Sequence, residues 1–278
     1  MLLAQVISLW RKQIPTRFQA LREVSSSNSN SQLRKCIEAI VSRNNEPMTI
    51  LRGKRILVVG ASGAFGQEFC NQLMSQGAEV MGTARTNESS VRLRADLAGR
   101  LILDLESTDS INNLATYLRS LPEGLDGIVL AAGVVAFGSI SETPAEVTEK
   151  LLKVNALGQI QLVSLLTNKL AESAQANNEP FVLSISGVIA ETPMAGLTSY
   201  SASKTALLGF AQAAAKELRK SGVSWIDARP GHTESGLAGR AIHGTAPNFG
   251  AGKEVSAVVQ RMVAGILNSE KDLPSTSF

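Results

Sequence analysis

The chain reads as an α/β protein with a doubly wound parallel sheet and helices on both faces. Two observations predict this. From residue 54 onward, short apolar runs alternate with longer helix-like stretches. The first apolar run ends in glycines at spacing three, Gly60, Gly63 and Gly66, and a helical stretch follows. Alternation of this kind implies βαβ units, and right-handed crossovers then give the strand order 3-2-1-4-5-6-7.

The elements follow in order. Ile56–Val59 is continuously apolar, so Arg55–Val59 is predicted as a buried parallel strand. Residues 67–76 form the first helix, and Gly77 ends it. Further strands are predicted at Glu79–Thr83, Leu101–Leu103, Gly127–Ala131, Phe181–Ser186 and Val223–Ala228, with a short seventh near Leu273. Helices are predicted at 108–119, 144–172, 199–220 and 253–267. Ligands of such sheets bind beyond the carboxyl ends of the strands, where the strand order reverses.

Length and charge divide the chain. Its 278 residues are 44% hydrophobic, enough for a sizeable core. One domain over 48–278 preceded by an extension over 1–47 fits better than two domains. The net charge of +3 sits in the extension, and residues 48–278 are near neutral. Nothing there predicts a nucleic-acid footprint. Two cysteines, Cys36 and Cys70, argue against a disulfide framework, and Cys70 is read as core packing. His232 and His243 have no third ligand at recognisable spacing, so no metal site is expected.

In the extension, the apolar run Met1–Trp10 precedes Arg11 and Lys12, the reverse of a secretory signal, and is too short to span a bilayer. Residues 25–32 are a Ser/Asn linker. An organelle transit segment is one reading. A helical appendage, or a start misassigned upstream of Met48, is the favoured one. The expectation is a cytoplasmic protein without membrane attachment.

Tyr200-Ser201-Ala202-Ser203-Lys204 carries the chemistry. On a helix the phenol and the ammonium share one face on successive turns. A phenol titrates near pH ~10. A neighbouring positive charge lowers that value, so the pair can exchange a proton with an alcohol or carbonyl oxygen. The strand, Gly-rich turn and helix over 54–76 form a cradle for the phosphates of a dinucleotide, in which the backbone approaches a pyrophosphate at a helix N-terminus.

These segments together resemble the short-chain dehydrogenase/reductase family, from about residue 52 to the C-terminus. The carriers are Gly60–Gly66, Ala131-Ala132-Gly133, Asn155, Ser186, the Tyr200/Lys204 pair and Arg229-Pro230-Gly231. The resemblance implies a Rossmann-type fold, a nicotinamide cofactor and hydride transfer to or from a carbon bearing oxygen. It implies Tyr200 as general acid or base, with Lys204 holding the nicotinamide ribose and lowering the phenol pKa. Asn155 would keep a water in the proton relay, although alone it reads as a helix-surface amide. Cofactor contacts are expected from Gly60, Ser62, Gly63, Phe65, Gly66, Ala132, Gly133, Pro230, Gly231 and Thr233. Asp104 and Leu105 are expected at the adenine, though Asp104 equally suits a helix cap near Thr108.

The second strand runs out through Thr83-Ala84-Arg85 with no acid over 80–87. An acid there would bind the ribose hydroxyl of NAD, whereas Arg85 suits a 2′-phosphate, so NADP(H) is expected over NAD(H). Three positions depart from the family pattern. The serine usual 13 residues before the tyrosine is Gly187, with Ser186 one residue earlier and Ser184 two before that. Ser186 is assigned the role of orienting the substrate oxygen, with a bulge or insertion shifting it into place. Ala64 stands where glycine is usual in the turn, and Ala131 where asparagine is usual.

Residues 231–252 are glycine-rich and read as a substrate lid. Val135, Phe137, Met194 and Leu197 would give an apolar substrate wall, or belong to the core. His232 is read as structural rather than catalytic. The leading expectation is an NADP(H)-dependent oxidoreductase acting on a small-molecule carbonyl or secondary alcohol. The alternative is a cofactor-binding regulatory or scaffold protein with little turnover. A sugar-nucleotide epimerase is disfavoured, because only 48 residues follow Pro230. A homodimer or homotetramer through the helices 144–172 and 199–220 is also implied by the resemblance.

Overall fold

The computed structural model describes residues 51–278. The expectations about residues 1–47, Cys36 and the Ser/Asn linker lie outside the described residues. Six parallel strands form one sheet in the order β3-β2-β1-β4-β5-β6. They are β1 (Arg55–Val59), β2 (Glu79–Ala84), β3 (Gly99–Ile102), β4 (Gly127–Leu130), β5 (Phe181–Ile185) and β6 (Ser224–Ala228). The expected seventh strand shrinks to a single parallel bridge between Leu273 and Ala228. The Leu273 N–H reaches the Asp227 carbonyl, but Ser275 N–H, the next donor in register, turns to the Glu191 carboxylate. Pairing therefore stops after one residue.

Strand residues alternate between two cores. Ile56 and Val58 pack with Phe69 and Leu73 of α1 (Ala64–Ser75) and with Val259, Met262 and Ile266 of α7 (Val255–Leu267). Leu57 and Val59 pack on the other face, against Ile111 and Leu118 of α3 (Thr108–Ser120) and Leu162 and Leu166 of α5 (Gly158–Gln175). Ala211 and Ala214 of α6 (Thr198–Leu218) join that second core. Each large aliphatic side chain so buried contributes about 1.5–3 kcal/mol. Cys70 lies in the first core, and burial pushes its thiol up to about 12, so it is inert packing.

Three elements differ from expectation. Helix α1 begins at Ala64, three residues early, because Gly63 is its extended N-cap. The predicted helix 144–172 divides into α4 (Ala145–Leu152), a π-turn over Lys153–Leu157 and α5. A one-turn helix, α2 (Asn87–Ser90), follows β2, closed by a capping box between Thr86 and Ser89. As expected, Gly77 ends α1, with a φ of +84° that favours glycine.

Candidate active site

The strand order reverses between β1 and β4, and there a cavity of about 530 Å³ opens beyond the carboxyl ends of the strands. Its wall comes from the β1–α1 turn, the ends of β2, β4 and β5, the β3–α3 loop, α6 and the segment after Pro230.

The β1–α1 turn is shaped for close approach of a ligand. Gly60 has a φ of +81°, and a Cβ on it would lie 2.8 Å from the Ala132 backbone. A Cβ on Gly66 would collide with the Gly60 carbonyl. The Thr83 hydroxyl accepts from Gly60 N–H at 3.0 Å and fixes the turn to β2. The N–H groups of Ala64, Phe65 and Gly66 have no acceptor among the described residues. Free donors at a helix N-terminus suit a pyrophosphate. Gly60, Ser62, Gly63, Ala64 and Phe65 line the cavity, so Ala64 is accommodated as the first helical residue.

At the β2 end of the cavity stand Arg85, Asp104, Leu105 and Glu106. Arg85 pairs with Glu106 at 2.9 Å and more loosely with Asp104 at 3.5 Å, while Lys150 reaches Glu106 at 3.3 Å. Ser107, not Asp104, caps α3, and Asp104 instead accepts from Glu106 N–H at 3.0 Å. The sequence reading missed Glu106, and also Arg92, whose Nε donates to the Ser62 carbonyl at 3.3 Å.

Beyond β4, Ala131, Ala132 and Gly133 line the cavity. Asn155 holds this segment from the π-turn. Its Oδ1 accepts from Val134 N–H at 2.9 Å, and its Nδ2 donates to the Val134 carbonyl at 2.8 Å and to Ser203 Oγ at 3.0 Å. The side chain is fully buried, and both Nδ2 donors are used. Gln159, one turn later, donates to the Ala132 and Val154 carbonyls at 3.1 and 3.0 Å. Both the pattern and the spacing of these two amides were visible in the sequence, though only Asn155 was read.

Tyr200 and Lys204 lie on the first turns of α6 and face the cavity. Lys204 is buried, and its Nζ donates to the Ile185 carbonyl at 2.7 Å. A Cβ on Gly133 would lie 3.6 Å from that Nζ. The Tyr200 hydroxyl bonds to no other described residue. Burial, not the ammonium, sets both titrations. It pushes the phenol up to about 12, and it lowers Lys204 to about 8, partly offset by the Asp227 carboxylate.

Ser186 lines the cavity, but its hydroxyl is engaged away from it. Its hydroxyl is fully buried and donates to Asp227 Oδ1, while Ser184 Oγ donates to Oδ2 at 2.5 Å. Arg229 completes this network, bonding Asp227 at 3.1 Å, Asp272 at 2.6 and 2.8 Å, and Glu191. At the position 13 residues before Tyr200, Gly187 has a φ of 75° and a ψ of 163°. That region is essentially glycine-only, so a serine side chain does not fit this backbone without strain. No bulge brings Ser186 forward. Its hydroxyl goes to the network under the sheet end.

Pro230, Gly231 and Thr233 line the cavity, and the Thr233 hydroxyl donates to the Gly231 carbonyl at 3.0 Å. His232 also lines the cavity and packs on Phe249, with ring centroids 5.1 Å apart. Val135, Phe137 and Leu197 form a small apolar cluster with Ile189, joined by Leu237 and Phe249 from the glycine-rich segment. Met194 lines the cavity and is 46% exposed. Among the described residues no cluster suits a metal ion, and no helix is long and apolar enough to cross a membrane.

A doubly wound sheet with a phosphate cradle at its switch point, and a tyrosine and lysine facing the same cavity, defines a dinucleotide-binding oxidoreductase scaffold. Residues 54–245 match the model of the short chain dehydrogenase family. The chain belongs to that family, the NAD(P)-dependent short-chain dehydrogenases/reductases. It is 25% identical over 241 residues to a dehydrogenase/reductase SDR family protein 7-like of Anopheles gambiae, covering 80% of this chain and 75% of the relative. Its fold is similar to a short chain dehydrogenase from Burkholderia cenocepacia in complex with NADP, with a TM-score of 0.69 and 18% identity, covering 81% of this chain and 89% of the other. A 3-ketoacyl-(acyl-carrier-protein) reductase from Brucella melitensis complexed with NADH gives a TM-score of 0.71 at 19% identity, covering 81% of this chain and 97% of that one.

Proposed function

We propose that the protein is an NADP(H)-dependent oxidoreductase that interconverts a carbonyl and a secondary alcohol. The observation that carries this reading is the Tyr200/Lys204 pair, set on the cavity wall within reach of the phosphate cradle. A bound nicotinamide supplies or accepts the hydride. In reduction, Tyr200 gives its phenolic proton to the substrate oxygen as that oxygen becomes a hydroxyl. Burial favours the protonated phenol, the form a proton donor needs. Lys204 would hold the ribose hydroxyls with its ammonium. Asn155 acts as a clamp, keeping Val134 and Ser203 in register around Lys204. With Gly187 in place of serine, the substrate oxygen relies on Tyr200 and on its own binding contacts.

Arg85 supports the preference for the 2′-phosphate, since β2 offers no carboxylate to a ribose hydroxyl. Asp104 and Glu106 oppose it, because a phosphate must draw Arg85 away from them. Among the solved structures of similar fold, two are complexes with NADP or NADPH and one is a complex with NADH. A cofactor-consumption screen over ketones, aldehydes and alcohols, run with NADPH and NADH in parallel, tests the reading. Turnover with NADPH above NADH, and loss of that preference in Arg85→Ala, is the expected result. Equal affinity for the two cofactors would remove the NADP(H) assignment. The second reading, a cofactor-binding module with little turnover, is favoured by Gly187 alone. NADPH binding without consumption across the panel would support it.

A further inference from the structure

The substrate end of the cavity has an apolar wall of Val135, Phe137, Leu197, Leu237 and Phe249 and, at its exposed rim, the cation of Arg240. This side chain rises from a single helical turn, Ala238–Arg240, within the glycine-rich segment. Its Nη2 donates to the Ser235 carbonyl at 3.2 Å. Gly236, with a φ of +69°, makes room for it, since a Cβ there would lie 3.0 Å from Nη1. No carboxylate among the described residues pairs with Arg240. The acids nearby are already committed. Glu234 accepts from Gly252 N–H at 2.6 Å and faces His232 at 3.7 Å. Glu191 is bound to Arg229, and Glu142 to Ser139 at 2.7 Å. The other cations of the cavity are also engaged, Arg85 by two carboxylates and Lys204 by the Ile185 carbonyl.

We propose that this cavity takes a carbonyl or alcohol substrate with an apolar body and an anionic end group, which the Arg240 guanidinium holds away from the reacting carbon. The inference rests on the oxidoreductase reading and names its substrate class. Apolar contacts alone discriminate poorly between substrates that differ by a polar group, whereas an unpaired guanidinium discriminates by charge. A planar, permanently charged fork also suits a carboxylate better than a solvated ammonium would.

The test compares an eight-carbon straight-chain 7-keto acid with its methyl ester, using NADPH and the full-length protein. The expected ratio of kcat/KM, acid over ester, is about 10- to 100-fold, the range of a charge-assisted hydrogen bond. Arg240→Gln should bring that ratio to about one, and Arg240→Lys should restore part of it. A ratio near one in the unmodified protein, or an unchanged ratio in Arg240→Gln, overturns the inference while the oxidoreductase reading stands. If neither compound is reduced, calorimetric binding to the protein saturated with NADP decides. Binding of the acid that Arg240→Gln removes supports the anion site and counts against catalysis, whereas absent or charge-indifferent binding overturns the inference.

Discussion

Ser184 and Ser186 leave the end of β5 toward the same side, because strand side chains alternate, and both hydroxyls end on Asp227. Burial raises the pKa of that carboxylate, and the two serines and Arg229 partly offset the rise. We propose on this ground that Ser186 acts structurally. Ser186→Ala should lower stability by about 1–3 kcal/mol, through loss of a bond to a buried charge, while kcat falls far less than in a Tyr200 variant. Urea unfolding alongside steady-state rates would show this, and an unchanged midpoint with lost turnover would return the serine to catalysis. Lys204 gives a second prediction at this scale. Its pKa is lowered from 10.5 to about 8, so the ammonium is present below pH 8 and lost above it. NADPH affinity should fall as pH rises through 8. Folding stability should move oppositely, because between pH 8 and 10 the unfolded chain holds the extra proton. Calorimetric affinity and urea midpoints across pH 7 to 9.5 would check both signs. Affinity flat across that range would separate Lys204 from the cofactor.

At the level of elements, the β1–α1 unit and the Tyr200/Lys204 helix were legible because their signals are local. Continuous apolar runs mark buried parallel strands, and close-packed glycines mark a turn that no side chain fits. The π-turn was not legible. Residues 144–172 keep a helical pattern throughout, and one extra residue per turn leaves no mark in composition. Its cause is tertiary, since Asn155 and Gln159 are drawn onto the backbone of residues 132–134. The fate of Ser186 was illegible for the same reason, because Asp227 lies 41 residues away in sequence. Asn155→Ala would strand the Val134 N–H and carbonyl in a buried site, at about 1–3 kcal/mol for each unsatisfied group. A loss of stability under 1 kcal/mol in urea would show that the clamp is dispensable.

Across the whole molecule, the sheet sets the cavity at the carboxyl ends of its strands, with the cradle and Arg240 both on its wall. The outer face of α6 carries Ala202, Ala206, Gly209 and Ala213, all exposed, and a Cβ on Gly209 would meet nothing. Leu152, just before the π-turn, and Leu157, its last residue, are also exposed. A face of small and apolar side chains suits a second copy of the chain, so a dimer or tetramer is expected by light scattering at micromolar concentration. A monomeric mass would reject it. The cavity as a unit is proposed to reduce or oxidise through Tyr200, and the most direct test removes one oxygen atom. Tyr200→Phe keeps the ring, the packing and the cradle. With a substrate found in the cofactor screen, it should lose roughly 10²–10⁴-fold in kcat while NADPH affinity stays within about two-fold. A Tyr200→Phe protein that retains wild-type kcat would contradict the account.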